Sequence, residues 1–271
     1  MRVPSRDGVE IAVHDLGGDG PPILLAHATG FHGLVWDGFA DRLAHHFRVW
    51  SFDACAHGAS TGGDLGWAAM ATDVLAVIDA LDLERPFGFG HSLGGGLSVL
   101  AEARRPGTFR ALYLYEPAIM PTSVTGVDEN VMTEGARRRR PSFPSRQDAY
   151  DNYRSKPPLN ELSVPALWAY VDHGFVDEPD GTVTLACRPD DEADTFRGAA
   201  SGDAWAAMDE VRGPVTVARG ALPSSSPAAW AEEQAAHLRA RLVILDGLAH
   251  FGPLAEPDVV AASVVEAFLG G

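Results

Sequence analysis

Cysteine is nearly absent: Cys55 and Cys187 are the only two in 271 residues. Two thiols cannot build a disulfide framework, and without CxxC spacing they form no common metal or redox motif. Positive charge is scarce as well, with 21 Lys and Arg against 37 Asp and Glu and a formal net charge of -16. Nucleic acids and anionic membranes select basic surfaces, so neither is an expected partner. Long apolar runs are also missing. No window approaches the ~18 uninterrupted apolar residues of a membrane span, and Met1 is followed by Arg2, Val3, Pro4, Ser5, Arg6 and Asp7 rather than an apolar leader. Free thiols, acidity and the polar start together predict a soluble, cytoplasmic protein. The one basic cluster, residues 137–140, reads as a solvated surface patch, as charge runs usually are.

A hydrophobic content of 46% suffices for a large core, and it is laid out in a regular rhythm. Residues 9–14 alternate like a half-buried strand, and the Gly- and Pro-rich stretch 17–22 turns the chain. Residues 23–26 form a continuous apolar run of the kind found in strands buried on both faces. Helical spacing follows through Trp36, Phe39, Ala40 and Leu43, then a buried strand over 47–52. A helix over 67–83 places Met70, Val74, Val77, Ile78 and Leu81 on one face; a strand then leads to Ser92, a helix spans 93–105 and a strand spans 109–115. Repeated strand–helix–strand units predict a mostly parallel sheet covered by helices on both faces.

The rhythm breaks between residues 118 and 213. This stretch is rich in Pro, Arg, Asp and aromatics, with helices expected over 145–154 and 161–174 and at most a short strand over 183–186. It is too long for a connection, so it reads as an inserted helical cap or lid between two parts of one core domain, residues 1–117 and 214–271. From Pro214 the rhythm resumes with a strand over 215–218, a helix over 227–238, a strand over 242–245, a loop holding His250 and a last helix over 257–269.

Gly90-His91-Ser92-Leu93-Gly94 fits the GxSxG nucleophile elbow, a sharp strand-to-helix turn that exposes a serine hydroxyl. A serine at neutral pH needs a base, and His250 follows the last strand, at the same sheet edge as Ser92 if the strands run parallel. The N–H of Leu93 opens the next helix and is suited to an oxyanion. Further segments recur in order: His27-Ala28-Thr29-Gly30 after the third strand, residues 53–60 after the fourth, the elbow, and His250-Phe251-Gly252-Pro253-Leu254 near the C-terminus. On these segments the whole chain resembles the α/β-hydrolase fold superfamily, in its serine-nucleophile form with a helical lid. The resemblance implies a twisted, mostly parallel sheet of about eight strands.

It also implies roles. The usual acid position, in the loop 219–226, holds no carboxylate, and members that place the acid after the sixth strand point to Glu116, with Asp246 as runner-up. Thr29 stands where the second oxyanion amide is expected. Cys55 and Ala56 depart from the family pattern; Asp53 and His57 read as structural and Cys55 as a small buried residue. Phe31, His91, Trp168 and Phe251 are candidate substrate contacts, and Trp36, Tyr170 and Trp205 are further aromatics of the same kind. The expected activity is hydrolysis of an ester, thioester or lactone of a small, rather apolar molecule, with no metal or organic cofactor. Cofactor-free haloperoxidase or perhydrolase chemistry and C–C hydrolysis are alternatives on the same residues. A ligand-binding protein on a hydrolase scaffold is the alternative of another class.

Overall fold

A computed structural model of the chain describes residues 1–121, 131–222 and 227–270. The chain opens with β1 (Arg2–Pro4), β2 (Glu10–Asp15) and β3 (Pro22–Ala26), then runs through α1 (Asp37–Leu43), β4 (Arg48–Phe52), α2 (Trp67–Ala80), β5 (Phe87–His91), α3 (Leu93–Arg104) and β6 (Leu112–Tyr115). A long excursion follows, with α4 (Val131–Arg137), β7 (Ser142–Phe143), α5 (Arg146–Arg154), α6 (Val164–His173), β8 (Phe175–Asp177), β9 (Val183–Leu185), α7 (Pro189–Gly198) and α8 (Asp203–Ala207). The chain closes with β10 (Val215–Gly220), α9 (Ala231–Leu238), β11 (Arg241–Leu245), α10 (Gly252–Ala255) and α11 (Pro257–Leu269).

Eight of these strands form one sheet in the order β1-β2-β4-β3-β5-β6-β10-β11. The β1/β2 and β2/β4 pairs are antiparallel and every later pair is parallel. Side chains alternate across a strand, so each strand feeds two cores. Ile23 and Leu25 pack on one face with Phe39 of α1 and Val260 and Val264 of α11. Leu24 and Ala26 pack on the other, with Val74 and Val77 of α2, Leu97 of α3 and Ala235 of α9. The expected α/β-hydrolase architecture is the one observed. Strand β1 was not expected, because three residues are too few to display a period.

The excursion differs from a purely helical cap. Helices α5 and α6 stand where expected, with Ser145 and Ser163 accepting N-terminal amide hydrogens from Asp148 and Ala166. The short strand at 183–185 is also present, but it is the middle member of a three-stranded antiparallel sheet, β7-β9-β8. Strands of two and three residues leave no alternation to read. Helix α8 packs back onto α3, with Ala204 and Met208 buried in the core on that face. Among the described residues no helix is long and apolar enough to cross a membrane.

Candidate active site

The site is assembled at the carboxyl edge of the parallel strands. Strand β5 ends at His91, and Ser92 turns the chain into α3 with φ 53° and ψ -112°, a left-handed conformation that a serine holds only under constraint from its surroundings. The constraint is tight packing around Gly90 and Gly94. A Cβ on Gly90 would lie 2.6 Å from Gly95 Cα, and one on Gly94 would lie 2.2 Å from the carbonyl oxygen of Ala26. No side chain fits at either position, which accounts for the small residues of the motif. Ser92 is left 7% exposed, buried but not sealed.

Next to β5, strand β6 ends one residue short of Glu116. His91 pairs with Tyr115 in the sheet register, and Ser92 N donates to the Tyr115 carbonyl, so Ser92 and Glu116 leave neighbouring strands at the same level. Glu116 also has a positive φ, 40°, and its side chain is wholly buried. A buried carboxylate is stable only with partners. Oε1 accepts the amide hydrogen of Gly220 at 3.0 Å, and Oε2 lies 2.7 Å from Nδ1 of His250. With Nδ1–H given to the carboxylate, the lone pair of the imidazole falls on Nε2. Asp246 is exposed in the turn after β11, and the ring of His250 engages Glu116 instead.

The loop of His250 is fastened from below. Tyr115 OH donates to the Ala249 carbonyl at 2.7 Å, and His91 Nε2–H donates to the His250 carbonyl at 2.8 Å, with the two imidazoles 4.8 Å apart. His91 is thus fully buried and props the loop, a role its position within the motif gave no sign of.

Thr29 lies in the loop after β3, and Leu93 opens α3. Gly94 N donates to the His27 carbonyl at 3.0 Å, which draws this loop onto the first turn of α3. Among the described residues no protein acceptor takes the N–H of Leu93 or of Thr29. Asp53 holds the far side: Oδ1 accepts from Gly33 N at 2.6 Å and contacts His14 Nε2 at 2.9 Å, while Oδ2 accepts from Ala59 N at 2.7 Å. Burial alone would raise the Asp53 carboxyl, yet the hydrogen bond and charge of His14 hold it well below the usual range. Burial, with the charge of His57 next, lowers His27 to about 3, and burial lowers His32 to about 4. These rings stay neutral. Cys55 is fully buried and its thiol is pushed up to about 11 by burial, which makes it inert as a nucleophile.

A cavity of about 520 Å³ opens beside this cluster, walled by Phe31, Leu159, Tyr170, Phe196 and Phe251 and reaching Thr29. Ser92 and His250 do not line it, but Thr29 and Phe251, the residue after His250, do. Phe31 and Phe251, two of the candidate substrate contacts, thus line the cavity. Trp168 does not: it stacks on Tyr150 with ring centroids 4.2 Å apart, away from the cavity. Trp36 is buried in the core and Trp205 packs on His237, because aromatic residues at helical spacing serve the core first.

The basic cluster also departs from expectation. Arg139 turns inward, with Nη1 2.5 Å from Glu192 Oε2 and Nη2 bonded to the hydroxyls of Tyr170 and Tyr153 at 2.5 and 3.1 Å. It lines the cavity with Arg138, Arg140 and Lys156. Four successive arginines carry no periodic signal to distinguish the buried one. Among the described residues no three His, Cys, Asp or Glu side chains converge as metal ligands would.

The profile of the alpha/beta hydrolase family matches residues 23–263. A non-heme chloroperoxidase of Streptomyces lividans is 35% identical over 135 residues, 46% of this chain and 48% of that protein. N-formylmaleamate deformylase of Pseudomonas putida is 29% identical over 118 residues, 42% of this chain and 44% of that protein. The chain thus covers less than half the length of these curated relatives. Among solved structures, E-2-(acetamidomethylene)succinate hydrolase superposes with a TM-score of 0.82 at 20% identity, over 98% of this chain and 97% of that one, a likeness of fold.

Proposed function

The chain belongs to the alpha/beta hydrolase family, and on that premise we propose that it is a serine hydrolase cleaving an ester, thioester or lactone of a small substrate through an acyl-enzyme on Ser92. Ser92 Oγ attacks the carbonyl carbon as His250 Nε2 takes its proton. The oxygen of the tetrahedral intermediate is held by the amides of Leu93 and Thr29. His250 then passes the proton to the leaving group, and water, activated by the same ring, releases the acid. Glu116 keeps Nδ1 protonated and steadies the imidazolium. This chemistry calls on no metal or organic cofactor.

The observation that carries the reading is the 2.7 Å contact between buried Glu116 and His250 at the strand edge where Ser92 emerges. The unclaimed amides of Leu93 and Thr29 support it. The residues between β6 and β10 serve as the cap over the site, and the aromatic wall of the cavity suits an apolar portion of the substrate. Labelling the folded protein with a fluorophosphonate tests the reading. An adduct mapped by mass spectrometry to Ser92 is expected, and a folded protein that stays unlabelled at Ser92 would refute it.

A further inference from the structure

We propose that the cavity beside Ser92 is built for a carboxylate-bearing substrate, an acyl compound anionic at the end away from the scissile bond; this rests on the hydrolase reading above. The charge of the chain and the charge of the cavity have opposite signs. The protein carries a formal -16, yet among the described residues the cavity is lined by Arg138, Arg139, Arg140 and Lys156, the only lysine in the sequence, against the single carboxylate of Glu192. A low-dielectric cleft of one sign concentrates ligands of the other.

Two of these cations are compensated. Arg138 pairs with Glu134, and Arg139 pairs with Glu192. Arg140 and Lys156 bond only to neutral oxygens, the Ser142 carbonyl and Asn152 Oδ1, and among the described residues neither has a carboxylate within ion-pair distance. The lining therefore presents positive charge that no acid of the described protein answers. A neutral substrate gains nothing from such groups, whereas a carboxylate gains charge-assisted hydrogen bonds.

Arg139 relates this charge to the reaction centre. A Cβ built on Gly30 would stand 2.6 Å from Glu192 Oε1 and 3.2 Å from Arg139 Nη1, so the ion pair rests directly on the backbone next to Thr29. The two tyrosine hydroxyls hold the guanidinium fork in place from the other side. The Glu192 carboxylate is the nearer of the two, so an acyl group whose carbonyl oxygen reaches the Thr29 amide has a neutralised ion pair beside it, and the unanswered charge of the lining is that of Arg140 and Lys156. Arg140 and Lys156 are exposed, where single charges act weakly and are screened by salt.

The test compares mono-(4-nitrophenyl) glutarate with its methyl-capped neutral diester, which has the same acyl chain. Wild-type protein should favour the anion in kcat/KM by roughly tenfold at low salt, the scale of one charge-assisted hydrogen bond, with the preference shrinking in about 0.5 M NaCl. In the Arg140→Gln/Lys156→Gln double variant the ratio should fall at least about threefold. Arg212→Gln, on the remote surface, should leave the ratio as it is. Equal or better use of the neutral diester overturns the proposal, as does a ratio that survives the double variant or falls as far in Arg212→Gln. Melting shifts give a readout without turnover: glutarate should stabilise the wild type more than glutaramide does and lose that advantage in the double variant, and equal shifts would count against the anion site. Failure of the hydrolase reading looks different, with neither ester cleaved and Ser92 unlabelled by fluorophosphonate.

Discussion

The eight-stranded core and the excursion between β6 and β10 share one hydrophobic cluster but differ in their closest contacts. In the core, backbone meets backbone with no room to spare: Gly94 lies against Ala26 and Gly90 against Gly95. In the excursion, strands of two or three residues and short helices bury Phe143, Leu167, Val171 and Leu185 and add ion pairs between elements, including Arg139–Glu192 and Arg146–Asp177. On the proposed reading the core places the reacting groups through close contacts, and the excursion shapes what reaches them through side chains whose effects are graded. On the proposed reading, damage to the core removes chemistry or folding, while damage to the excursion changes selectivity.

The largest expected effect lies in the core. Ser92→Ala should lower kcat/KM for a chromogenic ester by roughly 10³-fold or more, measured on protein with unchanged circular dichroism. A smaller loss would mean that the elbow does not carry the nucleophile. Acid should come next. His27 and His32 are held at about 3 and about 4 in the folded chain against an ordinary 6.5, so below pH 6.5 the unfolded chain binds more protons than the folded one. Stability is then full above pH 6.5 and falls by about 1.4 kcal/mol per pH unit for each histidine until the folded value is reached. Urea midpoints that stay flat from pH 7 to pH 4.5 would contradict the burial of these rings.

Gly94→Ala should cost about 2–4 kcal/mol in urea unfolding, because its neighbour is a backbone oxygen that cannot yield. An ordinary cost of a few tenths would show that the contact relaxes. Trp168→Ala is the mildest: its ring stacks on Tyr150 outside the cavity, and kcat/KM should stay within about twofold of wild type. A large loss there would bring the outer face of the excursion into the site and blur the contrast.

The same contrast explains what could be read from the residues alone. Continuous apolar runs such as residues 23–26 and 47–52 announced buried strands, and the motif order located Ser92 and His250. Glu116 was reached because the usual loop, 219–226, holds no acid; residues 223–226 of that loop lie outside the described residues. The resemblance already put Glu116 ahead of Asp246, and the register that sets Tyr115 beside His91 and the bond that Glu116 makes to His250 support that order. The three-stranded sheet, the inward turn of Arg139 and the outward stacking of Trp168 had no signal in period or spacing. They depend on which side chains meet across elements distant in sequence. The propping role of His91 was hidden for the same reason, since its partner is the backbone of His250.

The central claim is that the acid serving His250 stands at the end of β6. It is tested most directly by comparing Glu116→Gln with Asp246→Asn in steady-state ester hydrolysis. The account predicts that Glu116→Gln lowers kcat/KM by at least about tenfold while Asp246→Asn leaves it unchanged. The reverse pattern, with Glu116→Gln near wild type and Asp246→Asn impaired, would contradict it.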